Sequence, residues 1–155
     1  IPQIGGIGSS FLMEPPYDGF LIDRGIHVAI EAKSLKVWGA FPLARVSAHQ
    51  QSELLRVIEQ GGRAFLLLNM RRTREGKSHN WAGALDMTRC EPLCAVLSPR
   101  KSIPLDLITD PLWFTPIRRI RWPEVADLIW DIGPILAPTT TADDDGYARR
   151  LVGVG

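Results

Sequence analysis

The sequence predicts an α/β fold, and three consecutive segments among its 155 residues carry the prediction. Residues 18–23 alternate around Phe20 and Ile22, Arg24-Gly25 supplies a tight turn, and residues 25–32 follow as a β-branched strand, which is typical of a β-hairpin. Residues 48–60 place apolar side chains at helical spacing. Residues 64–69 are an almost continuous apolar run, which indicates a strand buried on both faces. The predicted order is therefore hairpin, helix and strand.

The composition is that of a single globular domain. Hydrophobic residues make up 45% and charged residues 23% of the chain, which allows a buried core without disulfide bonds. We expect one domain over residues 1–138 and a flexible tail over residues 139–155. Two cysteines, Cys90 and Cys94, are too few for a disulfide framework and lack a second pair of ligands for zinc.

Hydropathy and charge restrict the location and the partners of the chain. No apolar run approaches the ~20 residues of a membrane span and no signal peptide is recognisable, so we expect a cytoplasmic protein without membrane contact. The net charge is +1, but residues 63–121 contain 11 Lys and Arg against 5 Asp and Glu, whereas acids dominate after residue 124. A basic central segment is compatible with a polyanionic partner.

The predicted hairpin would bring two carboxylates together. Asp18 stands at the head of the first strand, and Glu31 lies near the end of the second. In a hairpin that turns at Arg24-Gly25, these two residues lie opposite each other at the open end. Because side chains alternate along a strand, Glu31 and Lys33 point to the same face. Two carboxylates and a lysine in this arrangement can hold a divalent cation and activate a water molecule.

A loop over residues 34–46 leads to the predicted helix. Ser47 is the expected N-cap, and Gly61-Gly62 the expected C-terminal end. The apolar stripe of this helix is predicted to consist of Leu54, Leu55 and Ile58. His49 and Gln50 fall in the first turn, which places them near the two strand ends.

Beyond residue 69 the pattern is less regular. We predict, in chain order, a basic loop over residues 70–80, a short strand over residues 81–87, a short apolar element of undecided type over residues 93–97, a short helix within residues 101–110 and a helix over residues 122–130. The last of these begins with Trp122-Pro123, where proline suits the first helical turn.

The hairpin, helix and strand together resemble the core of the PD-(D/E)xK nucleases, in which Asp lies on the first strand and Glu-x-Lys on the second. The bare pattern is weak, but its position on a hairpin followed by a helix and a strand makes it more specific. Within this superfamily the sequence resembles the RecU-type Holliday junction resolvases of bacteria and their phages. The shared motifs are Asp18-Gly19, Glu31-Ala32-Lys33, Phe41-Pro42-Leu43 and His49-Gln50.

The resemblance implies a restriction-endonuclease-like core, with a mixed central sheet flanked by helices. It implies an endonuclease that acts as a homodimer on branched DNA and resolves four-way junctions by symmetric paired nicks. The catalytic residues would be Asp18, Glu31, Lys33 and Gln50. Asp18, Glu31 and the carbonyl group of Ala32 would bind Mg²⁺, for which Mn²⁺ can substitute.

Side chains around these motifs and in the basic central segment are the candidates for DNA contact. They are Lys36, Arg45, His49, Arg71, Arg72 and Arg74. His49 suits a DNA contact or an ordinary surface position at the start of a helix. Trp38 and Phe41 suit stacking on DNA bases or packing within the protein.

Three broader alternatives stay open from the sequence. Asp18, Glu31 and Lys33 can form an exposed salt-bridge cluster on a sheet edge, which would contribute at most about 1 kcal/mol per pair. A nuclease of the same fold can act on other DNA, as restriction, repair and flap nucleases do. A DNA-binding module can keep the fold with an inactive site, although the intact Asp, Glu and Lys set argues against this interpretation.

Overall fold

A mixed sheet of six strands is the centre of the part of the chain that the computed structural model describes, residues 16–120 and 129–136. Its strands, in spatial order, are β1 (Gly19–Asp23), β2 (Ile26–Leu35), β4 (Arg63–Arg74), β5 (Lys77–Asp86), β7 (Phe114–Ile120) and β8 (Ile129–Asp131). The pairing of β2 with β4 is parallel, and the other pairings are antiparallel. The expected α/β class with a mixed central sheet is confirmed.

Helices and a small second sheet complete the described residues. The helices are α1 (Ala48–Glu59), α2 (Cys90–Leu97), α3 (Leu105–Ile108) and α4 (Gly133–Leu136), with 3₁₀ turns at Leu43–Arg45 and Met87–Arg89. The small sheet pairs β3 (Phe41–Pro42) with β6 (Ser102–Ile103). None of the helices in these residues is long and apolar enough to cross a membrane.

The predicted hairpin is formed by β1 and β2. Its turn residues, Arg24 and Gly25, have φ angles of 48° and 81°, the left-handed values that two-residue hairpin turns require. Gly19 pairs with Ile30, so the residue before β1, Asp18, falls opposite Glu31. The register that the sequence predicted for the two carboxylates is therefore confirmed.

Helix α1 begins where the sequence predicted, at the N-cap Ser47. Leu54 and Val57 are its buried residues and face the sheet, whereas Leu55 is 37% exposed. The predicted apolar stripe is wrong at Leu55, because the helix turns Val57 inward in its place. After the helix, Gly62 allows a close approach, since a Cβ atom there would lie 2.8 Å from the carbonyl oxygen of His27 on β2.

Apolar side chains cover both faces of the sheet. One face packs against α1 and α2, and its buried residues include Ala29, Leu54, Leu66, Leu68, Met70 and Leu93. The other face packs against α4 through Val28, Phe65, Ala82, Ala84, Ile117 and Ile135. Strand β4 contributes to both clusters, which confirms the prediction of a strand buried on both sides.

The basic segment is a hairpin, and the prediction of a loop over residues 70–80 is wrong. Strand β4 continues to Arg74, and β5 starts at Lys77 after a two-residue turn. Glu75 and Gly76 in this turn have φ angles of 52° and 71°. The predicted strand over residues 81–87 is present but begins earlier than expected, since the polar residues 77–80 also pair with β4.

The C-terminal predictions have mixed outcomes. Helix α3 confirms the short helix predicted within residues 101–110, and the undecided element over residues 93–97 belongs to α2. Ile129 and Trp130 lie in strand β8, where the backbone pairs with β7, and the predicted helix over residues 122–130 is wrong for these two. The other positions of that helix, and the predicted tail over residues 139–155, lie outside the described residues.

Candidate active site

The candidate site forms where the carboxyl-terminal half of β2 meets the first turn of α1. Glu31 on β2 is 0% exposed, the one charged residue in the described ranges that is fully buried. Its side chain and that of Lys33 point to the sheet face that α1 covers, as alternation along β2 predicts. The first turn of α1 places the side chain of Gln50 against that of Glu31.

One oxygen of the Glu31 carboxylate carries all of its contacts. Lys33 Nζ lies 2.6 Å from Oε1, and Gln50 Nε2 donates a hydrogen bond of 2.6 Å to the same atom. Lys33 Nζ also donates to Gln50 Oε1 over 3.2 Å, which closes a triangle of three side chains. The second oxygen of Glu31, Oε2, is buried and has no hydrogen-bond partner among residues 16–120 and 129–136. A buried polar atom ordinarily has a partner, which an ordered water or a bound ion can supply.

The position of Gln50 is fixed by the cap of its own helix. Its backbone N–H donates to Ser47 Oγ over 3.1 Å, and its side-chain Oε1 accepts from the Ser47 backbone N–H over 3.1 Å. This reciprocal arrangement is a capping box. The resemblance placed Gln50 among the catalytic residues. In the structure it contacts Glu31 and Lys33, so it acts as a positioning residue for both.

Sequence reasoning identified Ser47 as a cap and missed its connection to the site. The signal was present, because Ser followed three residues later by Gln is the sequence pattern of a capping box. What the pattern does not contain is the direction in which the Gln50 amide points. That direction depends on how α1 lies on β2, which only the packed structure shows.

Asp18 occupies the open end of the hairpin. Its Oδ2 accepts a hydrogen bond of 2.7 Å from the backbone N–H of Ala32, which lies beyond the last paired row of β1 and β2. Because the N–H and C=O groups of one residue in a strand point to the same side, the carbonyl group of Ala32 also points toward this end. Asp18, the Ala32 carbonyl and Glu31 are therefore grouped at one end of β2.

This donor set fits a hard divalent cation. It offers two carboxylates and a backbone carbonyl, and the unpartnered Oε2 of Glu31 is an acceptor without a donor. Within residues 16–120 and 129–136 no cluster of three or more His, Cys, Asp or Glu side chains is present. Mg²⁺ is commonly bound by one or two carboxylates, with water and substrate phosphate oxygens as the other ligands, so two carboxylates suffice.

The burial of the Glu31–Lys33 ion pair excludes the interpretation of these two residues as an exposed salt bridge on a sheet edge. The side chain of Glu31 is 1% exposed and that of Lys33 is 17% exposed, so the pair is not a surface salt bridge. Removing two charges from water costs several kcal/mol per ion, which the attraction between them often fails to offset. A pair of this kind is therefore poorly explained by stability alone.

The predicted DNA contacts separate into groups. His49 is exposed in the first turn of α1, close to Gln50. Arg45 donates to the carbonyl group of Ser34 over 3.0 Å and lies over the ring of Phe41. Both residues are on the same side of the sheet as Glu31. Phe41 itself is fully buried, which favours packing over base stacking.

The remaining candidates lie along the hairpin of β4 and β5. The guanidinium group of Arg72 lies 4.1 Å from the ring centre of Trp38, a cation–π distance. Lys36 and Arg71 line an open groove of about 320 Å³ with three neighbours, Arg72, Thr73 and Ser78. Arg74 is exposed at the end of β4, 3.7 Å from Glu75. None of these residues contacts the Glu31 triangle.

The two cysteines lie together on α2, where Cys90 Sγ accepts a hydrogen bond of 3.6 Å from Gln51 Nε2 of α1. Both are free thiols. Burial raises the pKa of the Cys90 thiol to about 11, and the neighbouring Cys94 also raises it. A thiol with a raised pKa is a weak nucleophile and a weak metal ligand at neutral pH.

Comparison with known proteins adds no relative, since no family model and no curated protein matches the sequence. The assignment of the site therefore depends on its geometry and on the motifs in the sequence.

Proposed function

We propose that the chain is a metal-dependent endonuclease with a restriction-endonuclease-like core that resolves four-way DNA junctions. The observation that carries the proposal is the state of the Glu31 carboxylate. It is fully buried, one oxygen is paired with Lys33 and Gln50, and the other has no partner in the described part of the chain. This is the arrangement expected of a metal ligand whose orientation is set before the metal binds.

The residues of the site take separate roles in this proposal. Asp18, Glu31 Oε2 and the carbonyl group of Ala32 would hold Mg²⁺ or Mn²⁺. When bound, the ion lowers the pKa of a coordinated water and offsets negative charge on the scissile phosphate. Lys33 presents ammonium hydrogens beside the same carboxylate, where they can orient the attacking water or donate to a phosphate oxygen.

Gln50 has a positioning role. It donates to Glu31 and accepts from Lys33, and the cap of α1 holds its own backbone. A carboxylate and an ammonium group that are held in this way need no reorganisation when the substrate arrives. Catalysis of phosphodiester hydrolysis depends largely on such positioning and on electrostatic stabilisation.

Junction resolution sets a further requirement. Two opposed strands have to be nicked in a coordinated way, so two sites have to belong to one symmetric body. A homodimer with twofold symmetry, acting in the cytoplasm, meets this requirement. Recognition of a branch point would depend on shape and on backbone charge, because a branch point is defined by geometry rather than by sequence.

A cleavage assay tests the proposal. The chain is incubated with an end-labelled four-way junction or with a linear duplex of the same sequence, in Mg²⁺ or in EDTA. Symmetric nicks near the branch point that appear only in Mg²⁺ support the proposal. Equal cutting of the linear duplex would replace junction resolution with a general nuclease activity. Tight junction binding without cleavage in Mg²⁺ or Mn²⁺ would replace the enzyme with a binding module.

A further inference from the structure

The outer part of the β4–β5 hairpin leaves the sheet as a two-stranded ribbon. Strand β2 pairs with β4 only as far as Met70, and β7 pairs with β5 only as far as Ala82. Residues 71–80, which we call the ribbon, pair only with each other within the described part of the chain. Residues 71–79 are all exposed. The ribbon therefore projects from the body with its residues exposed, and the guanidinium group of Arg72 also lies over the ring of Trp38.

The two faces of the ribbon differ in charge. Cross-strand partners share a face, and successive residues alternate between faces. The pairs Arg72–His79 and Arg74–Lys77 therefore form one face, which we call the cationic face. The pairs Arg71–Asn80 and Thr73–Ser78 form the other face, which carries a single cation.

The cationic face continues the side of the sheet that carries the candidate site. Leu66, Leu68 and Met70 precede Arg72 and Arg74 at alternate positions of β4, so all five side chains point the same way. In the parallel register, Leu66 is the partner of Glu31 and Leu68 is the partner of Lys33. The site and the cationic face therefore lie on the same side of the sheet, separated by residues 66–70, which are buried on that side.

The charges on this face are not balanced within the described residues. Arg74 lies directly opposite Lys77, and like charges in that position repel each other. The nearest carboxylate, that of Glu75, is 82% exposed and lies 3.7 Å from Arg74, a weak surface pairing. A polyanion would relieve the repulsion that the folded ribbon retains.

We propose that the cationic face is the docking surface for the phosphate backbone of one duplex arm of the DNA, with Lys77 and His79 as contacts in addition to Arg72 and Arg74. The inference rests on the proposed function for the identity of the partner. A two-stranded ribbon is narrow enough to follow a DNA groove, and arginine, lysine and histidine side chains all donate to phosphate oxygens.

The spacing along β4 fixes where on the arm these contacts fall. Arg72 and Arg74 lie four and six residues beyond Leu68, the partner of Lys33. At about 3.3 Å per residue, the separation from the site is roughly 13 to 20 Å. Duplex DNA rises about 3.4 Å per base pair, so the ribbon meets phosphates about four to six base pairs from the scissile one.

The test measures junction binding as a function of salt. The full chain carrying Glu31→Gln, which prevents cleavage, is titrated against a fluorescent four-way junction at several NaCl concentrations. Lys77→Ala and Arg74→Ala are each expected to reduce the slope of log K against log salt by about 0.9, the value for one phosphate contact. Arg56→Ala removes a cation from the exposed surface of α1 and serves as the matched control, with no change expected.

Arg71→Ala separates the two faces of the ribbon. It removes the same charge from a neighbouring position on the opposite face, and a smaller change than that of Lys77→Ala is expected. The inference is overturned if Lys77→Ala and Arg74→Ala bind with the wild-type salt slope, or if Arg71→Ala has an equal or larger effect. It is also overturned if the chain does not bind the junction at all.

Cleavage by the unaltered chain keeps the two proposals apart. A chain that binds through the cationic face but does not cut in Mg²⁺ or Mn²⁺ would leave this inference in place and remove the endonuclease. A chain that cuts the junction while the ribbon variants bind with the wild-type slope would leave the endonuclease and remove the docking surface.

Discussion

The two halves of strand β4 border charged groups in opposite environments. Beside Leu66 and Leu68, strand β2 presents the buried Glu31 and the partly buried Lys33, which are paired with each other. Beyond Met70, the same strand carries arginines that are exposed and faces a lysine across the hairpin. One half buries a balanced set of charges, and the other exposes an unbalanced set.

This difference in environment distinguishes groups suited to catalysis from groups suited to binding a polyanion. The Glu31 triangle is held by three short contacts, so its atoms are already in position before a substrate binds. The ribbon cations are long, solvated side chains that lose rotamer freedom when they are fixed. Their value is in summed attraction to a polyanion, which does not require a single geometry.

The largest expected effect comes from breaking the buried half. Glu31→Gln keeps the shape of the side chain and removes its charge. A metal contributes several kcal/mol of charge stabilisation in the transition state, so we expect junction cleavage in Mg²⁺ to fall by about a thousandfold or more. Single-turnover cleavage measures the effect, and junction binding should change little because the ribbon is intact.

Glu59→Gln is the matched control for this variant. It removes a carboxylate from the exposed end of α1, and the cleavage rate should stay at the wild-type value. Asp18→Asn should behave as Glu31→Gln does. If either of the two site variants cut the junction at the wild-type rate, the assignment of the metal ligands would be wrong.

The second effect is on stability and tests whether the buried half is a coupled unit. Lys33→Ala leaves the Glu31 carboxylate buried, with Gln50 as its one remaining partner among the residues that the structure describes. Removing one partner of a buried ion pair leaves the other charge buried without its counter-ion. We therefore expect a loss of about 3 kcal/mol in the free energy of unfolding, measured by urea denaturation. Added Mg²⁺ should restore part of this loss if Glu31 is a metal ligand.

The double variant Glu31→Gln/Lys33→Ala is the informative control. It also removes the charge of the Glu31 carboxylate, so it should be more stable than Lys33→Ala alone. A lysine-to-alanine substitution on the exposed ribbon leaves no buried charge without a partner. Lys77→Ala should therefore change the free energy of unfolding by less than about 0.5 kcal/mol. Additive losses in the double variant would show that Glu31 and Lys33 are not energetically coupled.

The parts of the molecule that the sequence could predict are those set by residues close together in the chain. The hairpin at Arg24-Gly25, the cap at Ser47 and the common face of Glu31 and Lys33 all follow from local rules of turn chemistry and alternation. Each rule involves residues close in the chain. The register that places Asp18 opposite Glu31 then follows from the turn alone.

The ribbon and the contacts of Gln50 could not be predicted in the same way. A strand is recognised by apolar alternation, and residues 71–79 have none because both of their faces are exposed. Glu75-Gly76 was the remaining signal of a hairpin turn. The bond from Gln50 to Glu31 joins a helix cap to a strand 19 residues away, so it depends on packing rather than on a local pattern.

A third, smaller effect tests the connection between the helix cap and the site. Ser47→Ala removes the hydroxyl that accepts from the Gln50 backbone N–H, and a lost N-cap costs about 1 kcal/mol of stability. We also expect slower cleavage at saturating junction, because Gln50 would position Glu31 and Lys33 less well. Ser52→Ala, at an exposed position of the same helix, should leave the cleavage rate unchanged. A stability loss without any change in rate would separate the cap from the site.

The smallest effect concerns the turn of the ribbon. Glu75 has a φ angle of 52° before Gly76, a position that asparagine adopts more easily than glutamate. Glu75→Asn should raise the free energy of unfolding by about 0.5 kcal/mol and tighten junction binding, since it removes a carboxylate that lies beside the cationic face. Because no phosphate contact is added, the salt slope should stay nearly constant.

The β1–β2 hairpin provides the comparison for this last variant. Arg24 has a similar φ angle of 48° before Gly25, so Arg24→Asn makes the same change of turn chemistry. Arg24 also donates to the carbonyl group of Leu136, so the gain at that turn should be offset by the lost hydrogen bond. Equal stabilisation at both turns would mean that backbone conformation alone decides the effect. Tighter junction binding after Arg24→Asn would show that charge near the cationic face is not what Glu75→Asn changes.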